Sequence, residues 1–247
     1  MDRYFLHLAY NGCRFEGWQR QARGASVQAT IENALLLLLK QPIEIVGCGR
    51  TDSGVHAADY YAHFDTDIEL PTRFLNSLNA LVGGDIAIFN LIKVAPDAHA
   101  RFDAVSRSYE YRISTRKNPF ERETALFLPQ SENLDKDAMQ AAAAILLLYK
   151  EFAPFCKTNT DSFTRLCQLQ ESFWDFSQPH IWTYHISSNR FLRGMVRLIV
   201  GACLRVGAGK LSLDTLAQCL DTQTILPYAW SVPPQGLFLQ KIVYPQL

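Results

Sequence analysis

The order of its periodic segments constrains this chain more than any other feature. Alternation of apolar and polar residues from Arg3 to Tyr10 predicts a strand. Ser26 is placed to cap a helix running through Ile31, Leu35 and Leu38, which Pro42 ends. Ile43 to Cys48 and Ala58 to Thr66 read as two further strands, Pro71 to Leu81 as a second helix, and Asp85 to Val94 as a fourth strand. The second half starts again in the same order. It has a strand from Ser106 to Thr115, a helix from Leu134 to Tyr149, and strands from Thr164 to Phe176 and Ile181 to Ser188. Helices from Phe191 to Arg205 and Ser212 to Leu220 follow, then a closing strand from Leu237 to Tyr244.

Two strand-helix-strand-strand-helix-strand runs in tandem predict an α+β protein. Its two βαββαβ subdomains, ferredoxin-like or RNA-recognition-like, are residues 1–98 and 99–247, joined near Pro96 to Arg101. Their strands are expected to form a continuous, mainly antiparallel sheet with a central cleft. With 247 residues, 48% of them hydrophobic, the chain can bury a sizeable core. Many unrelated functions use this unit, so the pattern alone assigns no activity.

The formal net charge is zero, so any attraction to nucleic acid must come from local patches. Such patches exist. Arg190, Arg193, Arg197, Arg205 and Lys210 lie in a stretch without Asp or Glu, and Arg101, Arg107, Arg112, Arg116 and Lys117 outnumber Asp103 and Glu110. The six cysteines show no C-x-x-C pair or regular spacing, which points to reduced thiols and to neither a zinc site nor a disulfide framework. His56 and His63 do not have the spacing of a metal pair on a helix and read as packing or RNA-contact residues. The start MDRYFLHLAY has no signal-peptide pattern, and no run approaches the length of a membrane span, so a cytoplasmic protein without membrane contact is expected.

In a βαββαβ unit the second and third strands are joined by a hairpin link, and here that link carries GCGRTDSGVHA, Gly47 to Ala57. Gly47, Gly49 and Gly54 permit a tight bend that presents Asp52, and Arg50 can pair with that carboxylate or with a phosphate. Two other readings stand beside this one. An Asp in a glycine-rich turn is commonly an Asx-turn residue bonding its own backbone. Asp52-Ser53-Gly54 also matches the aspartic-protease signature, but such enzymes need a second aspartate sharing the proton, and no second Asp-Ser-Gly or Asp-Thr-Gly occurs.

Four motifs in order carry a resemblance. They are Tyr10-Asn11-Gly12 with FEGWQRQ from Phe15, GRTDSGVHA, HARFDAVSRSYEYRI from His99, and FLRGMVRLIVG from Phe191. Together they resemble the tRNA pseudouridine synthase A family over nearly the whole chain. The resemblance implies that Asp52 is the essential catalytic residue, that Tyr109 packs on the target base, and that Arg197 pairs with the catalytic aspartate. Arg50 and Arg20, with Arg23, Arg101, Arg107, Arg190, Arg193, Arg205 and Lys210, are expected to bind the substrate backbone. It further implies a central catalytic cleft, isomerisation of uridine in the anticodon stem-loop of tRNA, a homodimer, and no metal or organic cofactor. A non-catalytic RNA-binding protein of this fold and an Asp-dependent hydrolase are the alternatives. Three departures from the family pattern stand out: Ser53 in place of Ala, Val82-Gly83-Gly84-Asp85 without the usual proline, and Arg193-Gly194 in place of an aromatic residue and histidine.

Overall fold

In β1 (Asp2–Tyr10) alternate residues face opposite ways, and Leu6, Leu8 and Tyr10 are buried. Its antiparallel neighbour β3 (His56–Thr66) matches it with buried Tyr60, Ala62 and Phe64, Leu6 lying opposite Ala62 and Tyr4 opposite Phe64. Burying one such side chain contributes about 1.5–3 kcal/mol, so the register of this pair is fixed by which face is apolar. The computed structural model describes residues 1–156 and 164–247. The chain divides into two units, Met1–Val105 with Phe238–Leu247, and residues 106–237. The architecture is mixed α+β with mostly antiparallel strand pairing.

Unit 1 follows the expected order. After β1 come α1 (Val27–Leu39), β2 (Val46–Gly47), β3, α2 (Phe74–Val82) and β4 (Ile86–Val94). Ser26 caps α1, its hydroxyl accepting from the Ala29 N–H at 3.2 Å. Ile31 and Leu35 of α1 and Leu78 of α2 are fully buried with the apolar strand residues. The strand order is β4-β1-β3, with β2 and β9 (Leu237–Val243) sharing the other edge of β3.

The second strand is shorter than the sequence implies, and the reason is local. The Ile45 N–H donates to Glu32 Oε1 at 3.1 Å and the Ile45 carbonyl accepts from Gln28 Nε2 at 3.1 Å. Both backbone groups are thus satisfied by side chains of α1 instead of a strand ladder.

The closing strand is the larger correction. It was expected to complete the second subdomain, yet all of it after Leu237 belongs to unit 1. There it runs parallel to β3, with His56 opposite Phe238 and Ala57 opposite Leu239. The Ile242 N–H donates to Asp59 at 2.7 Å, Val105 N–H to the Val243 carbonyl at 2.9 Å, and the Tyr244 hydroxyl to the Ala100 carbonyl at 2.5 Å. These bonds also hold residues 99–105 in unit 1, so the units part after Val105 and not at residue 98.

Unit 2 contains β5 (Ser106–Ser114), β6 (Leu126–Phe127), α3 (Lys136–Ile145), β7 (Leu169–Asp175), β8 (Ile181–Ser188), α4 (Met195–Gly207) and α5 (Leu213–Thr222). Strands β5, β8 and β7 are antiparallel neighbours. The expected helix to Tyr149 ends as α-helix at Ile145 and tightens into a 3-10 turn, Leu146–Leu148. The helix expected from Phe191 begins at Met195, because Gly194 takes a left-handed conformation at φ 73° that closes a turn ahead of it. Among the described residues no helix is long and apolar enough to cross a membrane.

Candidate active site

The link between β2 and β3 is held at almost every residue around Asp52. Val55 N–H donates to the Asp52 carbonyl at 3.2 Å, closing the turn. A second segment, residues 12–18, then clamps it. Trp18 N–H donates to the Thr51 carbonyl at 3.3 Å, and Gly54 N–H and the Ser53 hydroxyl donate to the Phe15 carbonyl at 3.2 and 3.3 Å. Gly17 makes this approach possible, since it has φ 89° and a Cβ there would lie 2.3 Å from the Thr51 oxygen. The family motif before α1 and the GRTDSGVHA motif are therefore one structure. Ser53 lies on the exposed rim of the turn, where exchange with Ala removes only its hydrogen bond to the Phe15 carbonyl.

Three buried aromatic residues floor the turn. Tyr10 from β1, Trp18 from the clamp and Tyr60 from β3 lie together, Trp18 and Tyr60 stacked at 4.1 Å and Tyr10 edge-on to Tyr60 at 5.5 Å. The Tyr60 hydroxyl donates to the Gly49 carbonyl at 2.5 Å, and the Tyr10 hydroxyl bonds the Thr51 hydroxyl at 2.9 Å. Burial pushes the Tyr60 phenol well above its ordinary range, so it remains a neutral donor. No role was read for these three from the sequence; the available signal was their position in or beside the two motifs.

Asp52 is half-buried and Arg50 exposed. Arg50 forms no hydrogen bond or ion pair among the described residues, which leaves its guanidinium in solvent. Arg20 is anchored by its terminal nitrogen to Glu32, a carboxylate only 5% exposed that also binds Gln28 and the Ile45 N–H. Arg20 still exposes more than half its side chain, so it is a fixed cation at the end of the clamp. Glu32 is a partner that sequence reading missed; its place four residues after Gln28 on one helix face was the signal. His56 proves to be a packing residue. It accepts the Gly12 N–H at Nδ1, 3.2 Å, and stacks on Phe238 at 4.4 Å. His63 is buried too, accepting the Ala100 N–H, and burial together with the Arg3 charge lowers it to about 4.

Tyr109 and Arg197 lie in unit 2. Tyr109, on β5 opposite Ile186 of β8, is half-buried and meets the Phe191 ring edge-on at 5.1 Å. Arg197 stands in the first turn of α4, and its Nε donates to the Val232 carbonyl at 2.6 Å. Residues 230–236 pass over this helix as a strap. Val232 N–H donates to the Arg197 carbonyl at 3.3 Å, and the Tyr111 hydroxyl of β5 donates to the Pro233 carbonyl at 2.8 Å. Gly201 lets the strap approach, since a Cβ there would lie 1.8 Å from the Trp230 oxygen. Burial raises the Tyr111 phenol, while the nearby Arg197 charge opposes the rise. A glycine in the middle of a largely apolar helix is the legible sign of this contact.

The other basic residues have mixed roles. Arg107 donates to the Asn189 carbonyl at 2.9 Å, Arg101 stands 5.5 Å from the exposed Phe102 ring, and Arg205 lies 5.8 Å from the Tyr228 ring. Arg23, Arg193 and Lys210 are exposed and Arg190 is half-buried.

The clamped carboxylate and the strapped arginine are accompanied by direct likeness to known proteins. A family profile described as tRNA pseudouridine synthase matches residues 143–245. The tRNA pseudouridine synthase A of Parabacteroides distasonis is 44% identical, covering all of this chain and 97% of the relative. That of Porphyromonas gingivalis is 41% identical over 99% of this chain and 98% of the relative. The more distant one of Geobacter sulfurreducens is 36% identical over 96% and 97%. The chain belongs to the tRNA pseudouridine synthase A family.

Proposed function

We propose that this protein isomerises uridine to pseudouridine in the anticodon stem-loop of tRNA, with Asp52 as the catalytic carboxylate. The observation that carries the reading is full-length identity above 40% to synthases of this name. The GRTDSGVHA and FEGWQRQ motifs together build the turn that presents Asp52.

The reaction breaks the bond from ribose C1′ to uracil N1 and forms one from C1′ to C5. The C5 proton is released and N1 gains a proton, so nothing is oxidised and no redox cofactor is required. A uridine inside a stem must first be flipped out, at a cost of a few kcal/mol offset by stacking and phosphate contacts. Tyr109 is the stacking residue in this reading, set on edge by Phe191. Asp52 acts as nucleophile or base, and Arg197 pairs with it. Arg20, Arg50 and the other exposed arginines contact phosphates. The family pattern adds a cytoplasmic homodimer.

Tritium release from tRNA labelled at uridine C5 tests the reading. Wild type is expected to release tritium and Asp52→Asn to lose at least about 10⁴-fold in rate, the scale of removing a catalytic group, while binding tRNA as before. A wild type that binds tRNA and releases nothing is the non-catalytic RNA-binding protein instead.

A further inference from the structure

Asp52 is useful only if the chain on either side of it holds the carboxylate in one place. Two buried phenols hydrogen-bond into this turn from below. Tyr60 is fully buried and its hydroxyl bonds the Gly49 carbonyl, three residues before Asp52, at 2.5 Å. Tyr10 is 4% exposed and its hydroxyl bonds that of Thr51, the residue directly before Asp52, at 2.9 Å. Trp18 stacks on Tyr60 at 4.1 Å and supplies the N–H that fixes the Thr51 carbonyl. Gly47 belongs to the same unit, since a Cβ there would sit 2.2 Å from the Tyr60 hydroxyl oxygen and 2.5 Å from the Trp18 ring.

A phenylalanine at either position would fill the same space but leave the Gly49 carbonyl or the Thr51 hydroxyl without this partner. Both hydroxyls are directed at the segment that ends in Asp52.

We propose that Tyr60 and Tyr10 are positioning residues for the isomerisation, aligning the Asp52 turn through Gly49 and Thr51 without touching substrate. The proposal rests on Asp52 being the catalytic carboxylate. A small displacement of a reacting group costs far more rate than stability, with about 1 Å of misplacement reducing rate on the order of 10²-fold. Loss of one hydrogen bond moves the turn by less than that.

The test is Tyr60→Phe, Tyr10→Phe and the double variant, in single-turnover tritium release at a temperature well below each thermal midpoint, with tRNA affinity measured separately. The expected result is a rate about tenfold lower for Tyr60→Phe, less for Tyr10→Phe, and tRNA affinity within about twofold of wild type. If Tyr60→Phe fails to fold, Tyr10→Phe decides by the same criterion. Wild-type rates in the folded variants, whatever their thermal midpoints, overturn the proposal, as does a fall in rate matched by an equal fall in affinity. Tritium release by wild type that survives in Asp52→Asn instead removes the catalytic assignment itself, a failure distinct from either.

Discussion

The two units present their key side chains by opposite means. In unit 1 the chain around Asp52 is fixed through its neighbours: Gly49, Thr51, Ser53 and Gly54 all bond the clamp or the aromatic floor. In unit 2 the guanidinium of Arg197 is itself bonded, to the Val232 carbonyl of the strap. Both devices depend on a glycine that admits a second backbone, Gly17 against Thr51 and Gly201 against Trp230. The difference follows from side-chain length. An aspartate has two torsions, so fixing its backbone nearly fixes its carboxylate, whereas an arginine's long stem leaves its head undetermined unless the head is anchored.

Removing the anchored head breaks the comparison most severely. Arg197→Ala leaves the buried Val232 carbonyl without this donor, which costs about 1–3 kcal/mol. Turnover is expected to fall on the order of 10²–10³-fold with a lower thermal midpoint. Arg197→Lys is expected to recover the charge but little of the rate, because a lysine has no Nε–H to bond Val232. Recovery of full turnover by lysine would show that the strap contact does not matter.

The two glycines separate the devices. Gly201→Ala forces strap and helix apart and is expected to lower unfolding free energy by about 1–3 kcal/mol in denaturant titration. Gly17→Ala meets both the Thr51 oxygen and a left-handed backbone, the latter alone costing about 1–2 kcal/mol. Its larger effect should be on single-turnover rate, since it displaces the turn that carries Asp52. Equal losses of rate per unit of lost stability in the two variants would erase the distinction.

Acid is expected to loosen unit 1 through His63. Because its folded value is lowered to about 4 from an ordinary 6.5, the unfolded chain binds the proton more readily. The stability held above pH 6.5 is therefore lost as pH falls from 6.5 towards 4, by about 1–3 kcal/mol. Thermal melts across that window should show the slope in wild type and a shallower one in His63→Gln. The smallest effect is expected from Arg50→Ala. An exposed phosphate contact contributes about one unit to the slope of log affinity against log salt, so tRNA titrations at several salt concentrations should lose that much with little change in rate.

Much of this was legible in local pattern. The elements of unit 1, the cap at Ser26 and the turn bearing Asp52 all follow from periodicity and glycine spacing, because strands, caps and tight turns are set by residues close in sequence. Side chains reaching across the fold were not. Glu32 and Gln28 take the backbone groups of Ile45 and shorten β2, and no reading of Ile43 to Cys48 alone reveals that competition. The closing strand alternates as a strand should, yet alternation does not specify a neighbour, and hydrogen bonds to Asp59 and Val105 place it in unit 1.

The sequence by itself determined the kind of most elements and pointed to Asp52 as a candidate carboxylate, with Tyr109 and Arg197 beside it through the family resemblance. Only the tertiary structure decided what holds two of them: a floor of Tyr10, Trp18 and Tyr60 under the Asp52 turn, and a strap at Val232 over Arg197. The reason is physical. Local conformation is governed by neighbours a few residues apart, whereas the hydrogen bonds of this floor and strap join residues from 11 to 41 positions apart, and only packing brings such residues together.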